Sequence, residues 1–258
     1  MVGNGNTTTD QPAHGEAAQK HSITALTPSQ LTTPTTAMLI QSIQAGTARQ
    51  FVNDETGKTW TSAIIKSPVP GPVWVSKTGL TGDQQADTKH HGGHDKAVLS
   101  YPAIHYHHWA TEFPEIPWGG GAFGENLTLA EISDEEGSTR DATPGRDVCI
   151  GDVFAAGECL LQISQPREPC WKLSSRWQLP KLAVRVQEKR MTGWYLRVLQ
   201  EGEISPGQTM VLTQRLHPEF TIDHANEIMF AQPRRRVEEQ HLAACPELSD
   251  SWKETLRR

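Results

Sequence analysis

The segment Gln162-Ile163-Ser164-Gln165-Pro166-Arg167-Glu168-Pro169-Cys170-Trp171-Lys172 sets one cysteine beside two prolines and between two cations. A thiolate, not a thiol, attacks electrophiles and binds soft metals, and neighbouring positive charge favours that form. Arg167 and Lys172 supply such charge on either side of Cys170. Proline fixes φ and has no N–H to give a ladder, so Pro166 and Pro169 are expected to end an apolar strand over residues 160–163 and to hold Cys170 on the loop beyond it. Taken alone, the segment also fits a small buried hydrophobe standing near charges, the usual role of a free cysteine.

Two other clusters carry chemistry. In Lys89-His90-His91-Gly92-Gly93-His94-Asp95-Lys96, adjacent glycines let backbone N–H groups approach an anion and the lysines add charge, which suits a phosphate or a pterin edge. The same residues alone would make a tight turn with surface charge. In Phe123-Gly124-Glu125-Asn126, the Glu125–Asn126 pair offers acceptors and donors to an amide-like edge. Glu125 could also move protons if burial raised its pKa. His105, His107 and His108 lack a His-Glu-x-x-His pattern and do not indicate zinc. They fall on an expected helix starting at Pro102, with Tyr106, Trp109 and Phe113 as its aromatic face and Pro114 as its stop.

The elements that must position these clusters read mainly as strands. Short apolar or alternating runs at 38–43, 62–66 and 73–75 are bounded by turn residues. Residues 149–155 and 158–163 form a hairpin across Ala156-Gly157, and 194–199 with 208–212 close the β domain around Ser205-Pro206-Gly207. Leu179, Leu182, Ala183 and Val186 make one helical stripe, with Pro180 in the first turn. Beyond Arg215, three stripes follow: Ile222/Ala225/Met229, Val237/His241/Cys245, and Trp252/Leu256 with Ser249 as N-cap. Helices this short need a partner surface, the barrel or a second subunit of a homodimer. Residues 1–37 are polar and Gly/Thr-rich and read as a disordered tail. The expected division is tail 1–37, β domain 38–215 and helical segment 216–258, with residues 133–147 as a surface loop.

A chain of 258 residues, net charge −6 and pI near 6.0 does not suit a general nucleic-acid binder, which neutralises phosphates with a basic face. Cys149, Cys159, Cys170 and Cys245 are dispersed with no C-x-x-C spacing, which fits a reducing compartment. No apolar run reaches the roughly 18 residues that span a bilayer, and no secretory signal is recognisable. The expectation is a soluble, cytoplasmic protein without a membrane partner.

Taken together in this order, Lys89-His90-His91-Gly92-Gly93, Phe123-Gly124-Glu125-Asn126 and Ser164-Gln165-Pro166-Arg167 with Pro169-Cys170 resemble the MOSC family in its YiiM-type branch, over residues 38–258. The resemblance implies a mostly β fold: a MOSC-type β-barrel with peripheral helices and a small C-terminal α-helical subdomain. It implies that Cys170 ligates the metal of a molybdenum cofactor (molybdopterin). It further implies that Lys89, His91, Gly92, Gly93, Lys96, Glu125, Asn126, Ser164, Gln165, Arg167 and Lys172 line the cofactor site. His94 stands where the family usually has proline. The implied activity is reduction of N-hydroxylated compounds, such as 6-hydroxylaminopurine and other hydroxylamines, with Cys170, Glu125 and His91 as catalytic candidates. Nothing here resembles a flavin or iron–sulfur site, so a flavoprotein reductase would donate the electrons. The alternative is a cofactor-binding or sulfur-carrier module using a Cys170 persulfide, although the large pyridoxal-phosphate domain of molybdenum-cofactor sulfurases is missing.

Overall fold

The computed structural model describes Met1 and residues 36–52, 57–87, 91–132 and 148–258. Lys89, almost all of the expected tail and the 133–147 segment lie outside the described residues. Along the chain the strands are β1 (Ala37–Ala45), β2 (Arg49–Val52), β3 (Thr59–Ser62), β4 (Ser67–Pro68), β5 (Val73–Ser76), β6 (Gly79–Leu80), β7 (Val98–Pro102), β8 (Leu127–Glu131), β9 (Val153–Ala156), β10 (Cys159–Pro166), β11 (Trp194–Gln200), β12 (Gly202–Ile204) and β13 (Thr209–Gln214). The α-helices are α1 (His105–Glu112), α2 (Trp171–Trp177), α3 (Leu182–Glu188), α4 (Ile222–Phe230), α5 (Arg236–Ala243) and α6 (Asp250–Arg257).

Seven strands close on themselves in the order β13-β9-β10-β11-β7-β8-β1, because β1 pairs with β8 at one end and β13 at the other. Closure leaves no free edge in the ring. Neighbours are antiparallel except β7 and β8. Ile40, Leu127, Phe154, Leu161, Leu196 and Met210 belong to one buried cluster that also takes in Ile228, Leu242, Leu248, Trp252 and Leu256. The C-terminal helices therefore dock on the barrel and share its core, each fully buried aliphatic side chain contributing about 1.5–3 kcal/mol. A second cluster of Tyr101, Trp109, Phe123, Leu173, Leu182 and Val186 lies among α1, α2 and α3.

Several local expectations are corrected. Residues 63–66 are not a strand: β3 ends at Ser62, and the carbonyl of Ile64 is taken by Arg176 Nη1 at 2.8 Å instead of a ladder partner. β5 lies outside the barrel, in a three-stranded sheet ordered β12-β5-β6. α1 starts at His105, since Pro102 is still paired with Leu129 at the end of β7. The β9–β10 turn is Gly157-Glu158, because Ala156 pairs with Cys159. α3 begins after Pro180, not with it. On α5 the inward residues are Glu239, Leu242 and Ala243, while Val237 is 80 % exposed. Buried Glu239 is held by Arg234 Nε at 2.7 Å, which fixes that face inward. Ser249 caps α6 as expected, accepting from Trp252 N at 3.3 Å.

Candidate functional site

The strand that leads to Cys170 runs three residues beyond 163. Gln165 and Pro166 pair with Tyr195 and Trp194, and Pro166, lacking an N–H, ends the ladder. Cys170 then serves as the N-cap residue of α2, in extended conformation. This helix was not anticipated; its residues Trp-Lys-Leu-Ser-Ser-Arg-Trp form no clean apolar stripe. It is pinned from the side chains outward. Arg176 Nη1 donates to the carbonyls of Ile64 (2.8 Å) and Gly121 (2.5 Å), Trp177 Nε1 donates to Ala122 (2.9 Å), and Leu173 is fully buried. Cys170 is thus held, half-buried, at the rim of a fixed scaffold.

A cleft opens there, lined by Cys170, Lys172, Arg167, His91, Lys96 and Tyr195 together with Lys66, Asp83, Phe123 and Asn126. Arg167 is 4 % exposed. Its Nη2 donates to the Phe123 carbonyl at 3.1 Å, while Nη1 is buried with no hydrogen-bond partner among the described residues. A buried guanidinium with an unused donor is costly, so an acceptor supplied by a ligand would relieve it. Lys66 differs, forming a near-buried ion pair with Asp83; burial lowers its pKa and Asp83 opposes the shift. His91 is pushed down to about 4, first by burial and then by Lys172, with Asp87 opposing and with Lys96 and Arg167 adding to the fall. An imidazole so buried is neutral at neutral pH, and the neighbouring cations that add to the shift attract anions. Burial also lowers Lys96 and pushes the Tyr195 phenol up to about 12.

Six residues expected at the site are therefore brought together: Cys170, Arg167, Lys172, His91, Lys96 and Asn126. Asn126 Nδ2 donates to Asp83 Oδ2 (2.9 Å) and Oδ1 accepts from Leu99 N (3.1 Å), tying the 83 loop to β7. Ser164 and Gln165 brace the site from behind. Ser164 Oγ donates to the Asp95 carbonyl at 2.5 Å, and Gln165 Oε1 accepts from Ser251 Oγ at 3.1 Å. Gly92 and Gly93 flank the cleft without lining it; Gly93, at φ +88, opens the short 3-10 turn His94–Lys96 that carries Lys96. His94 is exposed on that turn. Lys89 lies outside the described residues.

Glu125 is a correction. It is fully buried and absent from the cleft wall, and its carboxylate accepts from Gly121 N (2.7 Å), Phe123 N (2.9 Å), Thr128 Oγ1 (3.2 Å) and the Tyr106 hydroxyl. With both oxygens engaged and no exposure, it shapes the 121–126 turn and stands apart from the cleft. Sequence reasoning missed Lys66, Asp83, Asp87, Glu168 and Tyr195, all of which line the cleft. Tyr195 sits in an ordinary apolar strand, and Lys66 and Asp83 come from separate loops, so no local motif marks them.

The chain matches the MOSC domain family over residues 87–211 and the YiiM-like, 3-alpha helix domain over residues 221–258. It is 35% identical to Protein YiiM of Escherichia coli over 76% of this chain and 84% of that one. It is 36% identical to a protein named Reductase of Gibberella moniliformis over 87% of this chain and 38% of that longer one. The crystal structure of YiiM from Geobacillus stearothermophilus superimposes with a TM-score of 0.68 and 36% identity, covering 85% of this chain and 97% of that one.

Proposed function

The chain belongs to the MOSC family, in its YiiM-like branch, and on that footing we propose that it is a molybdenum-cofactor-dependent reductase of N-hydroxylated compounds. MOSC domains form the C-terminal part of molybdenum-cofactor sulfurases, which ties the family to this cofactor. The observation that carries the reading is the unused Nη1 donor of buried Arg167 beside Cys170 and two lysines. A soft sulfur ligand next to a cationic wall that offers the Arg167 Nη1 donor fits a metal–dithiolene group with an anionic phosphate end.

Cys170 Sγ would hold the metal, with Arg167, Lys172 and Lys96 holding the phosphate. Bound there, the cofactor supplies two-electron redox chemistry. Reduction of a hydroxylamine to an amine takes two electrons and two protons and releases one water, so the chain must manage protons. His91, neutral at neutral pH, is suited to accept or donate one hydrogen bond, not to act as a standing acid. Glu125 is walled off. Tyr195 lines the cleft, and no hydrogen bond to its hydroxyl is formed among the described residues, so its O–H is free to donate to the departing oxygen. Electrons would come from a flavoprotein reductase.

The test is molybdenum and pterin content after expression in a cofactor-competent host, with turnover of 6-hydroxylaminopurine by the protein plus a flavoprotein reductase and NADH. Near-stoichiometric molybdenum, lost in Cys170→Ala together with turnover, is the expected result. Molybdenum absent from both proteins, under conditions that load a known molybdoenzyme, would sink the reading. A persulfide on Cys170 with no turnover would move the protein to the sulfur-carrier class.

A further inference from the structure

Ahead of α4 and between α5 and α6, His217 meets two side chains that stand two residues apart, Cys245 and Glu247. Among the described residues, one ligand atom each from His217, Cys245 and Glu247 lies within 4.8 Å of the other two. Glu247 Oε2 is the shared point, 2.5 Å from His217 Nε2 and 4.0 Å from Cys245 Sγ. We propose that His217, Cys245 and Glu247 form a second metal site, for zinc or a zinc-like divalent ion, that clasps the helical segment to the barrel.

The donor set is one thiol, one imidazole and one carboxylate, which zinc accepts in tetrahedral geometry with a water in the fourth position. Metal–ligand bonds of about 2.0–2.3 Å place neighbouring ligand atoms roughly 3.3–3.6 Å apart. Loading therefore exchanges the His217–Glu247 hydrogen bond for two metal bonds, with shifts on the order of an ångström. The surroundings favour this. His217 Nδ1 stands 3.7 Å from Glu219 Oε1, a carboxylate on the opposite ring nitrogen that leaves Nε2 to face the ion. Gly151, at φ +85, lies against both ligands; a Cβ there would come within 3.1 Å of His217 Cδ2 and 3.2 Å of Glu247 Cβ. Cys245 is 3 % exposed, while the His217 and Glu247 side chains are 21 % and 22 % exposed, so the thiol is shielded and the other two ligands are partly open to solvent.

The two halves of the site belong to different parts of the fold. His217 precedes α4 in a loop fixed to the barrel end, where Ile150 N donates to the Phe220 carbonyl at 2.9 Å. Cys245 and Glu247 lie in the α5–α6 connection, where Leu248 N donates to the Cys245 carbonyl at 3.3 Å. An ion bridging them links barrel and helices and adds stability by mass action. Molybdenum and turnover play no part in it, so it stands or falls apart from the reductase reading.

The experiment uses full-length Cys170→Ser protein, which removes the thiol of the cleft, stripped with chelator and titrated with Co²⁺. The expected result is one Co²⁺ per chain with a thiolate-to-cobalt charge-transfer band, bleached by Zn²⁺, and a melting temperature raised by either ion. Adding Cys245→Ser should abolish the band, and His217→Gln should weaken binding by about tenfold or more. No band, or a band that survives Cys245→Ser, overturns the proposal. If Cys245→Ser does not melt cooperatively, Glu247→Gln decides, and unchanged cobalt affinity in that variant overturns it.

Discussion

The wall around Glu125 and the cleft around Arg167 are adjacent, both buried and both charged, yet their hydrogen-bond accounts are opposite. Glu125 has four donors for its two oxygens, whereas Arg167 leaves one terminal nitrogen without a partner among the described residues. Burial and charge alone do not identify a binding site. An unmet hydrogen bond beside an opening adds a reason for a ligand to enter, because folding alone has not recovered the cost of desolvating that group.

The largest effect that sharpens this contrast is expected from Glu125→Ala. It leaves the N–H groups of Gly121 and Phe123 and two hydroxyls without their acceptor, and denaturant unfolding should show a loss of about 3–5 kcal/mol. A loss below about 1 kcal/mol would mean that the network is not structural. Arg167→Met should do the reverse. Stability should change by no more than about 1.5 kcal/mol, while the affinity of the empty cleft for inorganic phosphate, read by calorimetry, falls at least about tenfold. Equal phosphate binding by the variant would break the comparison.

The third effect is one of pH. His91 is held near 4 in the fold and titrates near 6.5 when unfolded. Between those values the unfolded chain binds more protons, so the stability that neutral His91 allows is complete above pH 6.5 and falls as pH drops towards 4. His91→Gln should flatten the acid limb of the denaturation midpoint across that window. In the parent, proton NMR should find an imidazole midpoint near 4 that rises when phosphate enters the cleft; a midpoint near 6.5 without anion would refute the cationic field. The smallest effect is expected at Val237, whose exposed side chain touches neither region. Val237→Ser should move the unfolding free energy by less than about 0.5 kcal/mol.

The barrel was legible because its strands carry apolar alternation and turn residues. The same criterion failed where apolar residues serve a loop: Ala63-Ile64-Ile65 looks like a strand but is held by Arg176 through the Ile64 carbonyl. α2 was invisible because its stability comes from three side-chain anchors, not from a periodic face. At the site, Cys170, Arg167, Lys172 and His91 could be read from local motifs. Glu125 misled because a carboxylate next to glycines looks alike whether it faces a ligand or its own backbone. Tyr195, Lys66 and Asp83 reach the cleft only through strand pairing and loop packing, and His217 meets Cys245 only once the helices have docked. No window of sequence contains such pairs.

The hydrogen bonds from α6 to the cysteine strand have one further consequence. Ser249 N donates to the Ser164 carbonyl at 3.0 Å, and Ser251 reaches Gln165, both on the strand that ends four residues before Cys170. The last helix thus acts as a splint on the segment that aims the sulfur, though it contributes no atom to the cleft. Trimming or fusing at the C-terminus would detune the thiol from behind, and a truncation map would then score a remote support as if it were the reactive centre.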